Sequence, residues 1–243
     1  MDVRLLALQL DAPDPSVPAA FWSGLLGRAA VVEPAGTLLP GDGTQVGLRF
    51  VPSSEPKVTQ NPAHLHLTST GLADQQATVA RALELGGRHV DVGQRPEEGH
   101  VVLGDPGGNE LCVIEPGDAF LAGTGFLGEV TCRGTRAVGL FWSAALGWPL
   151  VWDHDEETAV QSPDGGTKVS WGGEPVDPDA PPQRQLLEVA TTGDLAAAVD
   201  RLVALGASRV DTNPDPASDV VVLADPDGQV FHVHPERAAT VTS

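Results

Sequence analysis

The 243-residue sequence contains no tyrosine, one methionine, two cysteines and only two lysines, Lys57 and Lys168. Cys112 and Cys132 are too few to staple a secreted scaffold. They also lie in no CxxC or CxxH spacing, which excludes a disulfide framework and a zinc-finger type of site and predicts a reduced, cytoplasmic setting. No stretch of about 18 apolar residues occurs, and residues 1–10 lack the charged lead, apolar run and small-residue cleavage site of a signal peptide. A soluble, unexported protein is expected. Positive charge is scarce as well: 14 basic residues face 33 acidic ones, for a net charge of -19. Such a surface repels phosphate backbones and anionic bilayers, so neither nucleic acid nor membrane is an expected partner. The acidity itself is read as a solubility feature of an Ala-, Gly-, Pro- and Arg-rich chain before it is read as a site.

What the chain does contain is a repeat at an offset of 120 residues. FWSGLLG (21–27) returns as FWSAALG (141–147), ATVARALELGG (77–87) as AAVDRLVALGA (197–207), and GDPGGNELCVI (104–114) as ADPDGQVFHVH (224–234). The period is too long for a solenoid and denotes two copies of a whole domain. The expected division is residues 1–118, a linker at 119–126, residues 127–238, and a tail at 239–243.

Within copy one, Leu6, Leu8 and Leu10 alternate with Ala7, Gln9 and Asp11 in a first strand. A helix follows, capped by Asp14 or Ser16, with Pro18 in its first turn, a stripe of Phe21, Trp22, Leu25 and Leu26, and a stop at Gly27. Short strands are read at 31–32, 38–39 and 45–51, with GDGT (41–44) as a hairpin turn. The βαβββ order then restarts: strand 64–69, helix 73–85, strands near 89–92 and 100–103, a DPGG turn, and strand 110–114. Copy two repeats both modules over 129–171 and 186–234, joined at 174–182. The predicted fold class is α+β.

Paired βαβββ modules, an FW-x-x-x-LG helix, an HLxL fifth strand and a DPxGN-E-x-C-V-I-E-P last hairpin resemble the vicinal-oxygen-chelate superfamily, in particular the tandem glyoxalase-like and bleomycin-resistance-like domains of actinobacteria. The likeness spans nearly the whole chain twice. It implies a pocket in a cupped sheet, lined by the first, fourth, fifth and eighth strands of each copy, and a small-molecule ligand. It implies a monomer with intrachain pairing or a homodimer. Because this fold hosts lyases, dioxygenases, isomerases, transferases and plain binders, the resemblance fixes architecture before chemistry.

In the metal-dependent members the ligands come from the first strand, the fifth strand and the position seven residues after the Asp of the DPxG turn. Here those places fall on Ala7, His64 and Cys112 in copy one, with His66 and Glu110 one strand period away on the same faces. In copy two they fall on Glu129, Leu186 and His232, with Glu188 and His234 sharing faces with the last two. The HLHL alternation puts His64 and His66 on one face, which is either a pocket wall or a solvated surface. Glu129 with His232 is the expected catalytic or metal-binding pair, serving as ligands for a divalent ion (Fe, Mn, Ni or Zn) or as an acid–base pair without one. Gln9, His64, His66, Glu110, Cys112, Glu188, His234 and Trp171 are the expected ligand-contacting set. Trp22 and Trp142 are assigned to the core, while Trp148, Trp152 and Trp171 are open to either core or pocket roles. Both ligand sets are incomplete by this reckoning, so the first expectation is binding of a metabolite or drug without metal, and the alternative is a metalloenzyme active in copy two only. GTGFLG (123–128) opens a strand where a nucleotide fingerprint must open a helix, and is read as a flexible joint.

Overall fold

Period-two alternation of apolar side chains and four short amphipathic stretches resolve, in a computed structural model, into sixteen strands and four helices among the described residues. Residues 3–55, 57–58, 60–95, 97–175, 184–210 and 219–235 are described. The first module holds β1 (Val3–Ala12), α1 (Ser16–Leu26), β2 (Val31–Glu33), β3 (Gly36–Leu39) and β4 (Gly47–Pro52). The second holds β5 (Ala63–Leu67), α2 (Leu72–Glu84), β6 (Arg88–His89), β7 (Val101–Gly104) and β8 (Glu110–Val113). The third holds β9 (Leu127–Arg133), α3 (Arg136–Leu146), β10 (Leu150–His154), β11 (Glu157–Val160) and β12 (Lys168–Gly172). The fourth holds β13 (Gln185–Thr191), α4 (Leu195–Ala204), β14 (Ser208–Arg209), β15 (Val221–Ala224) and β16 (Val230–His234). The fold is α+β with two tandem copies, as the repeat predicts. Most of the 174–182 joint and the 239–243 tail lie outside the described residues. The N-cap position of α1 is Pro15, and Asp14 instead accepts hydrogen bonds from Ser16 N and Oγ at 3.0 and 2.6 Å.

The sheets are not assembled copy by copy. One has the order β14-β15-β16-β13-β1-β4-β3-β2 and the other β10-β11-β12-β9-β5-β8-β7-β6. The first therefore joins modules one and four, and the second joins modules two and three. The seams are antiparallel pairings between first strands, β1 with β13 and β5 with β9. This corrects the expectation that a cup draws its first, fourth, fifth and eighth strands from one copy. Chain proximity is not the reason, since 53–62 links modules one and two more closely than 114–126 links modules two and three; the antiparallel β5–β9 ladder occupies the remaining edge of both first strands. Modules one and four are then left to pair with each other.

The other faces of both sheets share one core with the helices. Leu8, Leu10, Leu48 and Phe50 from the first sheet and Leu65, Leu67, Val130 and Val169 from the second are all fully buried. α1 and α3 add Phe21, Trp22, Phe141 and Trp142, and each ends on a glycine in the left-handed conformation, Gly27 (φ 68°) and Gly147 (φ 65°), where a side chain would be strained. Trp22 and Trp142 are core residues, as expected. Trp171, expected in the pocket, is a correction: it is 2% exposed and stacks on Trp142 with 6.2 Å between centroids, because it shares strand parity with Val169 on the helix side. Among the described residues no helix is long and apolar enough to cross a membrane.

The two copies differ at one buried tie. Trp22 Nε1 donates to Asp105 Oδ2 at 2.8 Å, locking α1 to the DPGG turn, whereas Trp142 Nε1 faces the matching Asp225 without forming a well-shaped hydrogen bond. Both Trp→Phe changes remove similar volume, but Trp22→Phe deprives a buried carboxylate of a well-formed hydrogen bond and Trp142→Phe of a poorly formed one. Trp22→Phe should therefore cost about 1 kcal/mol more than Trp142→Phe in chemical denaturation, and equal losses would refute the assignment. The cross-copy seams carry a second expectation. Fragments 1–126 and 127–243 produced separately should each fail to form a folded monomer and should assemble when mixed, as read by analytical ultracentrifugation and circular dichroism; a folded, monomeric fragment would contradict the seams.

Candidate functional site

Strand parity decides which side chains reach the concave faces. In β5 the run Ala63–Leu67 is buried, half-buried, buried, half-buried, buried, so Leu65 and Leu67 lie under the helices and His64 and His66 face the cup. On β9, Val130 and Cys132 go into the core and Glu129 and Thr131 face the cup. The ladders then align Lys168, Glu129, His66 and Cys112 across β12, β9, β5 and β8. Ser170, Thr131 and His64 form the next row.

In this second cup His66 Nδ1 stands 2.6 Å from Glu129 Oε2, and Ser170 Oγ donates to Glu129 Oε1. The His64 and His66 rings are 4.9 Å apart, and His64, His66 and Cys112 each offer a ligand atom within 4.8 Å of the others. Burial opposes charge on His66, but its hydrogen bonds with Cys112 and Glu129 and the nearby negative charge win, lifting it to about 9. His64 is pushed down to about 4, chiefly by burial and then by His66 and His100 against the pull of Glu129. Burial would raise the Glu129 carboxyl, yet His66 and Ser170 hold it below its ordinary value. The result is a buried carboxylate–imidazolium pair beside a neutral imidazole and a thiol.

The segment linking the copies is part of this cup. Lys168 Nζ donates to the Phe120 carbonyl and sits 4.2 Å above the Phe120 ring, and Trp152, itself 44% exposed, meets that ring edge-on at 5.9 Å. Leu121 packs with Val102, Cys112 and Ile114. The GTGFLG joint is packed rather than free: Thr124 is 1% exposed, its hydroxyl donates to Leu121 O at 2.8 Å, and Gln45 Nε2 donates to Thr124 O at 2.8 Å. Glycine content suggested flexibility, and buried hydrogen bonds override it.

The first cup is built around a different group. Arg49, 3% exposed on β4, donates from Nε to Glu188 Oε2 at 2.7 Å and from Nη1 to Glu33. Glu188 lies beside Ala7 on β1 and His232 on β16, and His234 Nε2 stands 3.5 Å from Glu188 Oε2. Burial works against the Arg49 charge, but the two carboxylates raise its pKa further; burial likewise opposes ionised Glu188, which His234 and Arg49 hold low. His232 is lowered by burial. Glu188, His232 and His234 also present ligand atoms within 4.8 Å of one another.

The expected residues are thus regrouped. Glu129 and His232 do not meet: they occupy different sheets, because copy two contributes one module to each. Glu129 joins His64, His66 and Cys112, while His232 joins Glu188, His234 and Gln9, whose Nε2 donates to Asp11 at 3.1 Å. Neither cup belongs to copy two alone. Glu110 is held by an ion pair with Lys57. Arg49, Lys168 and Ser170 were missed, although Arg49 lies between buried Leu48 and Phe50, Ser170 between buried Val169 and Trp171, and Lys168 two residues before Ser170 on the same face, the same alternation that singles out the HLHL histidines.

The sequence profile of the family described as "Glyoxalase-like domain" matches residues 7–114 and again 129–234. No curated protein matches the sequence at a significant level. Among solved structures, glyoxalase I from Zea mays superposes with a TM-score of 0.62 at 17% identity, over 95% of this chain and 92% of that one. A candidate dioxygenase from Bacillus subtilis gives 0.58 at 13% identity, over 96% and 85%. At these identities the likeness is one of fold.

The Glu129–His66 pair sets a pH signature for metal-stripped protein. His66 is raised above the ordinary imidazole value near 6.5, so its contribution is complete below that pH and lost as pH rises through about 9. Glu129, being lowered, stays ionised throughout that window. Stability should fall by on the order of 2–3 kcal/mol between pH 6.5 and 9. Denaturation midpoints should show this decline in the native sequence and a much flatter profile in Glu129→Gln; a flat native profile would dissolve the pair.

Proposed function

Since the chain belongs to the glyoxalase-like domain family, matched in both of its halves, we propose that it binds a small organic molecule in the second cup and that this cup is a divalent-metal and proton-transfer centre shared by both copies. The observation that carries the proposal is that His64, His66 and Cys112 bring ligand atoms within 4.8 Å of one another, with Glu129 of the other copy 2.6 Å from His66. Two imidazoles, a thiol and a carboxylate suit Zn, Fe or Ni better than an oxygen-preferring ion. His64, held neutral, has a lone pair available, and Ser170 orients the Glu129 carboxylate. A bound ion there would supply Lewis-acid polarisation of a substrate oxygen.

The chain's own groups supply the rest. Ionised Glu129 can take a proton from substrate, and the His66 imidazolium that donates to its Oε2 can give one up, so the pair offers a base and an acid side by side. Phe120, Leu121 and Trp152 limit water at the mouth and offer apolar contact to the ligand's body. In the first cup the permanent positive charge of Arg49, bound to Glu188 Oε2, opposes a divalent ion beside it.

One observation favours a second reading, binding and acid–base action without metal: the Glu129–His66 pair is satisfied by itself. Metal analysis after reconstitution separates the two. About one equivalent of Zn, Fe or Ni per chain is expected, lost in His64→Ala and Glu129→Ala and retained in His232→Ala. No retained metal in the native protein, or equal loss in His232→Ala, would overturn the metal centre.

A further inference from the structure

Beside the second sheet lies an open cavity of about 520 Å³ whose lining includes none of the charged residues of either cup. It is bounded by the end of β5, the start of α2 and the segment that joins the two copies. Its floor is apolar, formed by buried Ile114 and Leu121 with half-buried Phe126. Cavities of roughly 300–1,000 Å³ hold small organic ligands. The walls are tied in place, because Thr68 Oγ1 donates to Gly125 O and Leu121 N donates to Asp118 Oδ1, both at 2.8 Å. Ser69 also lines the cavity, and its buried Oγ has no hydrogen-bond partner among the described residues. A hydroxyl in that state can accept from an incoming donor.

The polar wall carries one sign of charge. Asp74, Glu115 and Asp118 line the cavity, and no lysine, arginine or histidine does. Asp74 Oδ2 accepts from Thr70 N and Oγ1 at 2.8 Å, and Asp118 Oδ1 is taken by Leu121 N. Glu115 enters no hydrogen bond or ion pair among the described residues. Compensation comes from Lys168, which acts on Asp118 while its Nζ donates to the Phe120 carbonyl, and from the N-terminus of α2 beside Asp74, worth about half a charge. With both counted in full the wall stays negative, so an anion is repelled. A bare metal ion lacks a chelating set, because the three carboxylates do not converge. Among the described residues, only His64, His66 and Cys112, and Glu188, His232 and His234, bring three ligand atoms within 4.8 Å.

We propose that this cavity is a binding site, outside both cups, for a small organic ammonium ion with an apolar body. Its charge lies against the wall of Asp74, Glu115 and Asp118, and its body covers Ile114, Leu121 and Phe126. The site does not rest on the chemistry of the second cup, since neither His66 nor Glu129 lines it.

2-Phenylethylamine is the probe, titrated calorimetrically into the metal-stripped full chain at about 0.15 M salt, where loose attraction to a net charge of -19 is screened. Saturable one-to-one binding is expected, at least about tenfold weaker in Glu115→Gln and for the neutral analogue 2-phenylethanol. Ala122→Trp fills the cavity from exposed Ala122 without altering charge and should weaken binding as much. Binding should be unchanged in His66→Ala and in Glu157→Gln, which removes one exposed charge elsewhere. If either cavity variant fails to unfold cooperatively, the other decides. The proposal is overturned by no saturable binding, by equal affinity for 2-phenylethanol, by equal weakening in Glu157→Gln and Glu115→Gln, or by calcium displacing the amine one for one. Failure of the second cup to retain metal, with amine binding intact, would overturn the preceding reading and leave this one standing.

Discussion

Everything at the two sites depends on one class of interaction, the antiparallel pairing of first strands from different copies. β1 on β13 and β5 on β9 each join two four-stranded pieces into a continuous sheet, and the ladder fixes which polar side chains stand opposite one another. His66 meets Glu129 only because the β5–β9 register places them in line; a slip of one residue would turn one of them into the core. The sites are consequences of a seam, held by backbone hydrogen bonds over several residues, and not of any local motif.

Much of this was legible in the chain. The 120-residue repeat gave the duplication, the βαβββ order gave the class, and the alternation of Leu65 and Leu67 against His64 and His66 gave the face. Which modules pair was not legible, since four similar modules offer four similar first-strand edges and nothing local marks the right partner. That single unknown misdirected the pairing of Glu129 with His232. Other gaps were of a different kind. Arg49, Lys168 and Trp171 all obey the alternation rule; Trp171 was drawn toward the pocket by its residue type when its parity with Val169 already placed it in the core.

The two cups show how one architecture handles buried charge in two ways. In the second, the carboxylate is balanced by a titratable partner, and the balance shifts with pH. In the first, the balancing group is a guanidinium that does not titrate, so the network is locked. Burial raises the cost of any mismatch in both, which is why small differences in residue choice lead to different chemistry.

Covalent fusion of the copies has a consequence for how such a molecule can specialise. Two identical chains arranged this way would be related by a twofold axis, and every pocket residue would appear in both cups at once. Joined in one polypeptide, the positions are released from that symmetry: Ala7 stands in one cup where Glu129 stands in the other, and Arg49 faces no counterpart of its own kind. Yet each cup still takes a wall from each half, so the halves diverge in function without gaining independence in folding. The result is a heterodimer in all but its chain count.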